Sequence, residues 1–264
     1  MRPSFQMAVR AFARLRHPQE PVVTVLGYHR IDEGVDDLAV SPQTFREQMG
    51  ALEELRDELP TVPLDEALAR LADGSAPMRS VVVTFDDAWS GTREYAMDVL
   101  VEHKIRATLY VPTAFLDRPR HVSRAQLLEL RDAGIQIGAH TRTHPDLRGC
   151  SDSQLEYEVA GSRMDLEDLL NSSVDSFAYP SGLHDRRVVT AVGRAGFRSA
   201  ITTRRGWLRH GSNPLRIRRS FVEDFALETF VAGARGGMNV LAGADAIKAG
   251  LGRLSARRPT GLQV

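Results

Sequence analysis

Short apolar runs alternate along this chain with segments whose apolar residues recur at helical spacing. The clearest run is Val81-Val82-Val83, which is apolar on both faces, as expected of a parallel strand covered on both sides. A strand is predicted here over residues 80–85, and others over residues 22–26, 107–111, 135–137, 176–179, 199–202 and 215–222. The alternation of strands with helices predicts a parallel sheet or barrel.

Capping residues mark the predicted helices between these strands. Ser41-Pro42 provides an N-cap serine followed by a proline at the first helical position. A second helix is predicted over residues 64–71, and Asp73-Gly74 stops it. A third helix is predicted to begin at Ser123 and to end at Gly134. Further helices are predicted through residues 95–100, 151–170 and 188–192.

The composition fits a soluble globular protein with one large α/β domain or two small ones. The chain has 264 residues, of which 42% are hydrophobic. Lys+Arg and Asp+Glu both number 34, and this balance gives no sign of a nucleic-acid partner. The single cysteine, Cys150, cannot form an internal disulfide, which fits a reducing compartment.

We divide the chain into a basic N-terminal arm (residues 1–20), a main domain (residues 21–232) and a C-terminal tail or peripheral helix (residues 233–264). Arginines interrupt the arm every few residues, so it contains no signal-peptide apolar region. No apolar run of about 18 residues occurs either, and we therefore expect a cytoplasmic protein. The arm is interpreted as a frayed helix, with weak contact to anionic lipid as the alternative.

Four polar segments lie at or just past the ends of predicted strands. They are Tyr28-His29, Thr84-Phe85-Asp86-Asp87, the segment His140 to Pro145, and Tyr179-Pro180-Ser181-Gly182. Parallel α/β folds collect their chemistry at the carboxyl ends of their strands. We therefore expect these segments to meet in one site.

Asp87, His140 and His144 are the residue types that hold a catalytic zinc ion, with a fourth position left for water. The two histidines follow a strand and precede Pro145, which favours a turn over a helix. Taken alone, the pair also fits two solvated loop histidines. Adjacent strand residues point to opposite faces, so Asp86 and Asp87 can aim in different directions. An exposed pair that caps a helix is the alternative interpretation of these acids.

The segment Tyr179-Pro180-Ser181-Gly182 predicts a rigid turn after an apolar strand. A backbone N–H after the proline could point into the site and hold an oxyanion. An ordinary glycine turn is the alternative. His29 ends the first strand, and by pattern alone it is more typical of a hydrogen-bonded core histidine than of a proton donor.

Together these segments resemble the polysaccharide deacetylase family, carbohydrate esterase family four. Thr84-Phe85-Asp86-Asp87-Ala88 is similar to the first motif of that family, Thr-Phe-Asp-Asp-Gly, and residues 140–145 match its motif His-Ser/Thr-x-x-His-Pro. Tyr28-His29 and residues 177–182 are similar to the branch that deacetylates poly-N-acetylglucosamine, as is the helix start at residues 41–45. The resemblance covers about residues 22–225.

The resemblance implies a distorted (β/α) barrel of parallel strands and a metal-dependent amino-sugar deacetylase that acts on an N-acetylated carbohydrate. Its implied metal ligands are Asp87, His140 and His144, its general base is Asp86, and its general acid is His29. Zinc is the metal expected first, and cobalt, nickel or iron fit the same ligand types. The main domain would then be the deacetylase catalytic domain.

The resemblance also implies the groups around these residues. The Ser181 backbone N–H would donate to an oxyanion, within the substrate-binding turn formed with Tyr179 and Pro180. An arginine would hold Asp86, and Arg219 is the candidate, with Arg218 as the alternate, because strand alternation lets only one point inward.

The chain departs from the family pattern at two positions, and one further residue of that pattern is not identified. Ala88 replaces a glycine, so we expect a negative φ there or backbone strain. Ser181 replaces an aromatic residue, which removes one platform for sugar stacking. The acid that would orient His29 is left open between Asp32 and Asp224.

Other functions are compatible with the same residues. A lipid-linked or nucleotide-linked amino sugar, or an O-acetylated glycan, would use the same chemistry, and a glycan-binding protein without turnover would keep the same fold. Phe, Trp and Tyr make up only 6% of the chain, with Trp89 and Trp207 as its tryptophans. A short substrate is therefore expected as much as a long polymer. The sequence does not fix the sugar or the oligomeric state.

Overall fold

The computed structural model describes residues 3–15, 18–34 and 38–241. The strands of these residues are β1 (Val22–Tyr28), β2 (Arg30–Ile31), β3 (Ala39–Val40), β4 (Arg79–Asp86), β5 (Ala107–Val111), β6 (Gln136–Ala139), β7 (Ser176–Ala178), β8 (Ser199–Ile201), β9 (Leu208–Arg209) and β10 (Ser220–Phe221). Eight of them form one curled sheet in the order β10-β1-β4-β5-β6-β7-β8, with β9 paired to β1. Only the pairing of β9 with β1 is antiparallel in this sheet. The predicted single domain with a distorted barrel of parallel strands is confirmed.

Helices connect the strands and pack on the sheet. In chain order they are α1 (Pro3–Leu15), α2 (Pro42–Glu54), α3 (Leu64–Asp73), α4 (Met97–Glu102), α5 (Arg124–Asp132), α6 (Asp152–Leu155), α7 (Gly161–Leu170), α8 (Arg186–Arg194) and α9 (Leu227–Ala234). Two π-helical turns, Thr92–Ala96 and Glu156–Ala160, precede α4 and α7.

The predicted caps are confirmed. The Ser41 hydroxyl accepts a hydrogen bond from the Thr44 N–H (3.1 Å), and Ser123 forms a capping box with Gln126. Gly74 ends α3 in the left-handed conformation, with φ of 79°. These local signals are readable because a cap involves residues only a few positions apart.

Two predicted elements differ in the structure. The helix predicted over residues 151–170 is helical without a break from Asp152 to Leu170, but it contains a π-helical turn between α6 and α7. The predicted strand over residues 215–222 is instead a 3₁₀ turn, Pro214–Arg216, followed by the short β10. Pro214 suits the first helical position, and the Asn213 side chain caps the turn by accepting from the Leu215 N–H (2.9 Å), so local capping outweighs the apolar pattern.

Strand alternation divides the core into two layers. Val83 and Phe85 of β4 pack in the outer layer beneath the helices, whereas Val82 packs inside the curl of the sheet together with α3. Thr84 and Asp86 follow Val82 at a period of two and therefore also face inward. The inner face at the carboxyl end of β4 is thus polar, and it is here that the site lies.

Helix α1 packs on α9 rather than standing apart from the domain. Val9 is fully buried, and Arg10 donates to the Thr229 hydroxyl (3.1 Å) and pairs with Glu228. Among the described residues, no helix has the length and apolar character that spanning a membrane requires. Of the predicted tail, residues 242–264 lie outside the described residues, and the boundaries drawn after residues 20 and 232 stay predictions.

Candidate metal centre and active site

Asp87, His140 and His144 converge at the carboxyl ends of β4 and β6. Their nearest ligand atoms all lie within 4.8 Å of one another. Nε2 of each histidine lies 3.6 Å from Asp87 Oδ1, and the two imidazole centroids are 4.7 Å apart. The structure therefore brings Asp87 together with two histidines that lie more than fifty positions further along the chain.

This donor set fits a divalent cation. Oδ1 of Asp87 is buried and has no hydrogen-bond partner among the described residues, an arrangement that costs free energy unless a cation or water satisfies it. Nδ1 of His140 lies 2.7 Å from the Ala178 carbonyl oxygen, which can only accept, so Nδ1 carries the proton and Nε2 offers its lone pair. Burial also lowers the pKa of His140, which favours the neutral imidazole that a metal requires.

The backbone at Asp87 is strained. Asp87 has φ of 70° and Ala88 has φ of 52°, both in the left-handed region that non-glycine residues rarely adopt. Ala88 is fully buried, and its carbonyl accepts from the Val122 N–H (2.8 Å). The backbone strain expected where Ala88 replaces glycine is therefore observed.

Asp86 is paired with Arg219, as the resemblance implied. The guanidinium donates to both carboxylate oxygens, over 2.7 and 2.5 Å, and also to the Thr84 hydroxyl (3.2 Å). Burial is the largest single influence and raises the pKa of Asp86, but the charge and hydrogen bonds of Arg219 together with the charges of His140 and His29 outweigh it and lower that pKa to about 2. Arg218, the alternate candidate, is exposed and donates to the Arg205 carbonyl instead.

Packing inside the sheet fixes Arg219. Only 1% of its side chain is exposed, and its guanidinium carbon lies 4.5 Å from the Phe221 ring centroid. Gly27 of β1 leaves room for this path, because a Cβ there would lie 2.9 Å from Arg219 Cδ. Gly27 and Phe221 were not identified from the sequence, and neither has a local signal that could have revealed this contact.

His29 lies beside these groups. Its imidazole stacks on Phe221, with ring centroids 4.5 Å apart and planes 19° from parallel. Burial lowers the pKa of His29, while the charges of Asp86 and Asp87 act in the opposite direction. The stacking on Phe221 holds the ring of His29 in place.

Neither acid considered as a partner for His29 takes that role. Asp32 pairs with Arg30 (3.1 Å) and Arg120 (3.3 Å). Asp224 accepts from the Ser41 N–H at 3.4 Å. Both carboxylates are therefore engaged by other groups.

The turn after β7 exposes one backbone donor. Ser181 has φ of 52° and Gly182 has φ of 68°, and the Gly182 N–H donates to the Tyr179 carbonyl (2.7 Å). The Ser181 N–H donates no hydrogen bond to any described residue. Tyr179 is buried and its hydroxyl donates to the Leu215 carbonyl (2.9 Å), so its side chain anchors the turn, while Pro180 begins it.

The family model for polysaccharide deacetylase matches residues 73–200. The protein YxkH of Bacillus subtilis (strain 168) is 26% identical over 69% of this chain and 64% of its own length. A chitooligosaccharide deacetylase of Sinorhizobium fredii is 31% identical over 50% of this chain and 61% of its own length. The chain thus spans a little under two thirds of these two relatives.

Two further comparisons extend over most of the chain. A poly-beta-1,6-N-acetyl-D-glucosamine N-deacetylase of Staphylococcus aureus is 22% identical over 81% of this chain and 83% of its own length. The crystal structure of a polysaccharide deacetylase from Bacillus cereus superposes with a TM-score of 0.72, at 29% identity, over 82% of this chain and 69% of that one.

The curled sheet of parallel strands is the fold that this chain shares with the Bacillus cereus polysaccharide deacetylase. Together with the match to the family model over residues 73–200, it shows that this chain carries a polysaccharide deacetylase domain. The resemblance predicted from the motifs is confirmed, including its kinship with the poly-N-acetylglucosamine branch.

Proposed function

We propose that this chain is a metal-dependent hydrolase that removes the N-acetyl group from an amino sugar or an amino-sugar glycan. The observation that carries the proposal is the unpartnered Asp87 Oδ1 facing two imidazole Nε2 atoms, beside the buried pair of Asp86 and Arg219. The names of two relatives support the substrate class, since one deacetylates chitooligosaccharide and the other poly-beta-1,6-N-acetyl-D-glucosamine.

Asp87, His140 and His144 are the proposed ligands, with zinc as the first candidate. The ligand types also accept cobalt, nickel or iron. When bound, such a cation polarises a carbonyl group and lowers the pKa of a water molecule.

Asp86 is the proposed general base. Arg219 keeps its carboxylate ionised, which is the form that accepts a proton. Each oxygen that receives a guanidinium hydrogen bond retains a second lone pair for the attacking water. Arg219 also fixes the orientation of this carboxylate, so that the base does not have to be ordered during the reaction.

His29 is the proposed general acid, and the Ser181 N–H the proposed oxyanion donor. His29 would donate a proton to the nitrogen of the leaving amine as the C–N bond breaks. The Ser181 N–H would donate to the oxygen of the former acetyl carbonyl as negative charge develops on it. A backbone donor fixed by a strained turn suits this task because it needs no reorganisation.

Contacts around Trp89 favour a short substrate. Its indole stacks on His121 at 4.5 Å between ring centroids, and the guanidinium carbons of Arg30 and Arg120 lie 5.4 and 5.5 Å from it. These neighbours occupy ring surface that would otherwise stack on a sugar. We therefore propose a single amino sugar or a short oligomer as the preferred substrate.

The proposal is tested by measuring acetate release from N-acetylglucosamine oligomers after loading with zinc or cobalt. Asp86→Asn and His29→Ala should each lower kcat by about 10²–10⁴-fold while metal still binds, as expected for lost proton transfer. His140→Ala should lose the metal. His103→Ala is the matched control, because that histidine pairs with Glu53 elsewhere, and it should keep full activity.

The outcomes separate the parts of the proposal. An unchanged rate for His29→Ala would show that another group is the general acid. Release of acetate only from O-acetylated sugars would replace the amide substrate with an ester. Metal-loaded protein that hydrolyses neither substrate would contradict an enzymatic function.

A further inference from the structure

The loop that carries both histidines has an uncommon backbone. Thr141 has φ of 66° and His144 has φ of 63°, so two non-glycine residues within four positions adopt the left-handed conformation. Each such conformation costs free energy and persists only where surrounding contacts hold it. These contacts decide whether the two imidazoles remain on one side of the loop.

Glu158 supplies three of these contacts from the opposite side of the loop. Its Oε2 accepts from the backbone N–H groups of Arg142 (2.9 Å) and Thr143 (2.8 Å). Its Oε1 accepts from the Thr143 hydroxyl (2.6 Å). Glu158 is only 6% exposed, so these donors on the loop satisfy its buried carboxylate oxygens.

The π-helical turn Glu156–Ala160 brings Glu158 to this position. Within the turn, Glu158 and Val159 are buried while Glu156 and Tyr157 are exposed. Such turns commonly occur at functional sites, where the extra residue changes which side chains face inward.

A second contact runs from the loop to α7. Arg142 donates to both carboxylate oxygens of Asp165, over 2.7 and 2.6 Å. Its guanidinium passes over Gly161, where a Cβ would lie 2.5 Å from Arg142 Cζ. The loop is therefore attached to the helical segment both through its backbone and through one of its side chains.

We infer that Glu158 is a positioning residue of the metal centre. By holding the N–H groups between the two histidines, it keeps the His140 and His144 rings at the separation that one cation requires. This inference rests on the proposed metal-dependent function, and it adds a residue outside the ligand set. Groups that orient ligands in this way commonly change metal affinity by about 10–100-fold when they are removed.

The test measures zinc affinity directly, by competition with a chromophoric chelator and without substrate. Glu158→Ala should weaken zinc binding by about 10–100-fold. Glu158→Gln, whose amide oxygen can still accept from both N–H groups, should stay within a few-fold of the wild type. Glu156→Ala is the matched control, since Glu156 is exposed in the same turn and should leave the affinity unchanged.

Two further readouts separate positioning from stability. Activity of Glu158→Ala should recover at saturating zinc, and its metal-free melting temperature is measured in parallel. A lower melting temperature with unchanged zinc affinity would assign Glu158 a structural role only and overturn the inference. If Glu158→Ala does not fold, Thr143→Val removes one of the three hydrogen bonds and should weaken zinc binding by a few-fold; unchanged affinity there would also overturn it.

Failure of the inference is distinguishable from failure of the proposed function. Wild-type protein that binds zinc, together with a Glu158→Ala variant of equal affinity, overturns the positioning role alone. Wild-type protein that binds no divalent cation overturns both.

Discussion

At the scale of single residues, the site depends on backbone conformations that non-glycine residues rarely adopt. Asp87, Ala88, Thr141, His144 and Ser181 all have positive φ. Strain of this kind collects where geometry serves function, because a relaxed backbone would aim the side chains elsewhere. Two substitutions measure how much of this strain the fold tolerates.

Ala88→Gly should change the free energy of unfolding by less than about 1 kcal/mol. Glycine relieves a left-handed penalty of about 1–2 kcal/mol, but it loses a buried methyl worth roughly 0.8 kcal/mol and gains freedom in the unfolded chain. Urea denaturation of the metal-free protein measures the balance. A loss above about 2 kcal/mol would show that Ala88 is not strained in the way its φ indicates.

Gly182→Ala should destabilise the protein by more than about 2 kcal/mol. A Cβ there would lie 2.2 Å from Thr203 Oγ1 and 2.5 Å from its backbone nitrogen, in addition to the left-handed penalty. Gly74→Ala is the matched control, because its φ of 79° is similar and nothing lies within 4 Å. Gly74→Ala should lower the free energy of unfolding by about 1 kcal/mol. Equal losses of stability for both variants in thermal or urea unfolding would contradict the clash at Gly182.

At the scale of elements, the proposed base Asp86 and its partner Arg219 come from the two strands on either side of β1. Asp86 ends β4, Arg219 immediately precedes β10, and β1 lies between these strands with Gly27 at the point of contact. The lack of a side chain at Gly27 therefore makes room for Arg219 in the site, although Gly27 itself lies in β1, between β4 and β10.

Gly27→Ala should lower kcat by tenfold or more, on the order expected when a catalytic group is displaced by a fraction of an ångström to one ångström. The new Cβ would press on Arg219 Cδ at 2.9 Å and on Phe221 Cε1 at 3.0 Å. Zinc affinity should not change, because the metal ligands lie on other elements. Gly50→Ala in α2 is the control that should retain full kcat, because the nearest neighbour of the new Cβ would be His103 Cε1 at 3.7 Å.

Some of this arrangement could be predicted from the sequence and some could not. The convergence of Asp87, His140 and His144 was predictable because strand ends meet at one edge of a parallel sheet. Alternation along a strand could not predict whether Arg218 or Arg219 points toward Asp86, because the register of β10 on β1 determines which of the two faces inward. Glu158 could not be predicted, because the π-helical turn shifts the face that an ordinary helix would present.

At the scale of the whole molecule, the metal should act as a ligand of the folded state. Three ligands from two strand ends come together only on folding, so metal binding and stability are linked. At a free zinc concentration of 100 times Kd, the folded state should gain about 2.7 kcal/mol. Thermal unfolding with zinc and with a chelator measures this gain.

The gain in stability with zinc should disappear in Asp87→Asn and persist in Asp132→Asn. Asp132 is an exposed acid on α5 that pairs with Arg131. An equal zinc-dependent shift in both variants would place the stabilising metal elsewhere on the protein. No shift in the wild type would show that the three donors do not bind zinc at this concentration.

The most direct measurement is an anomalous difference map from crystals grown with zinc, with data collected on both sides of the zinc absorption edge. We predict one strong peak in contact with Asp87 Oδ1, His140 Nε2 and His144 Nε2, with Asp86 still paired to Arg219. A zinc peak bound by other residues, with these three side chains turned apart, would contradict the account.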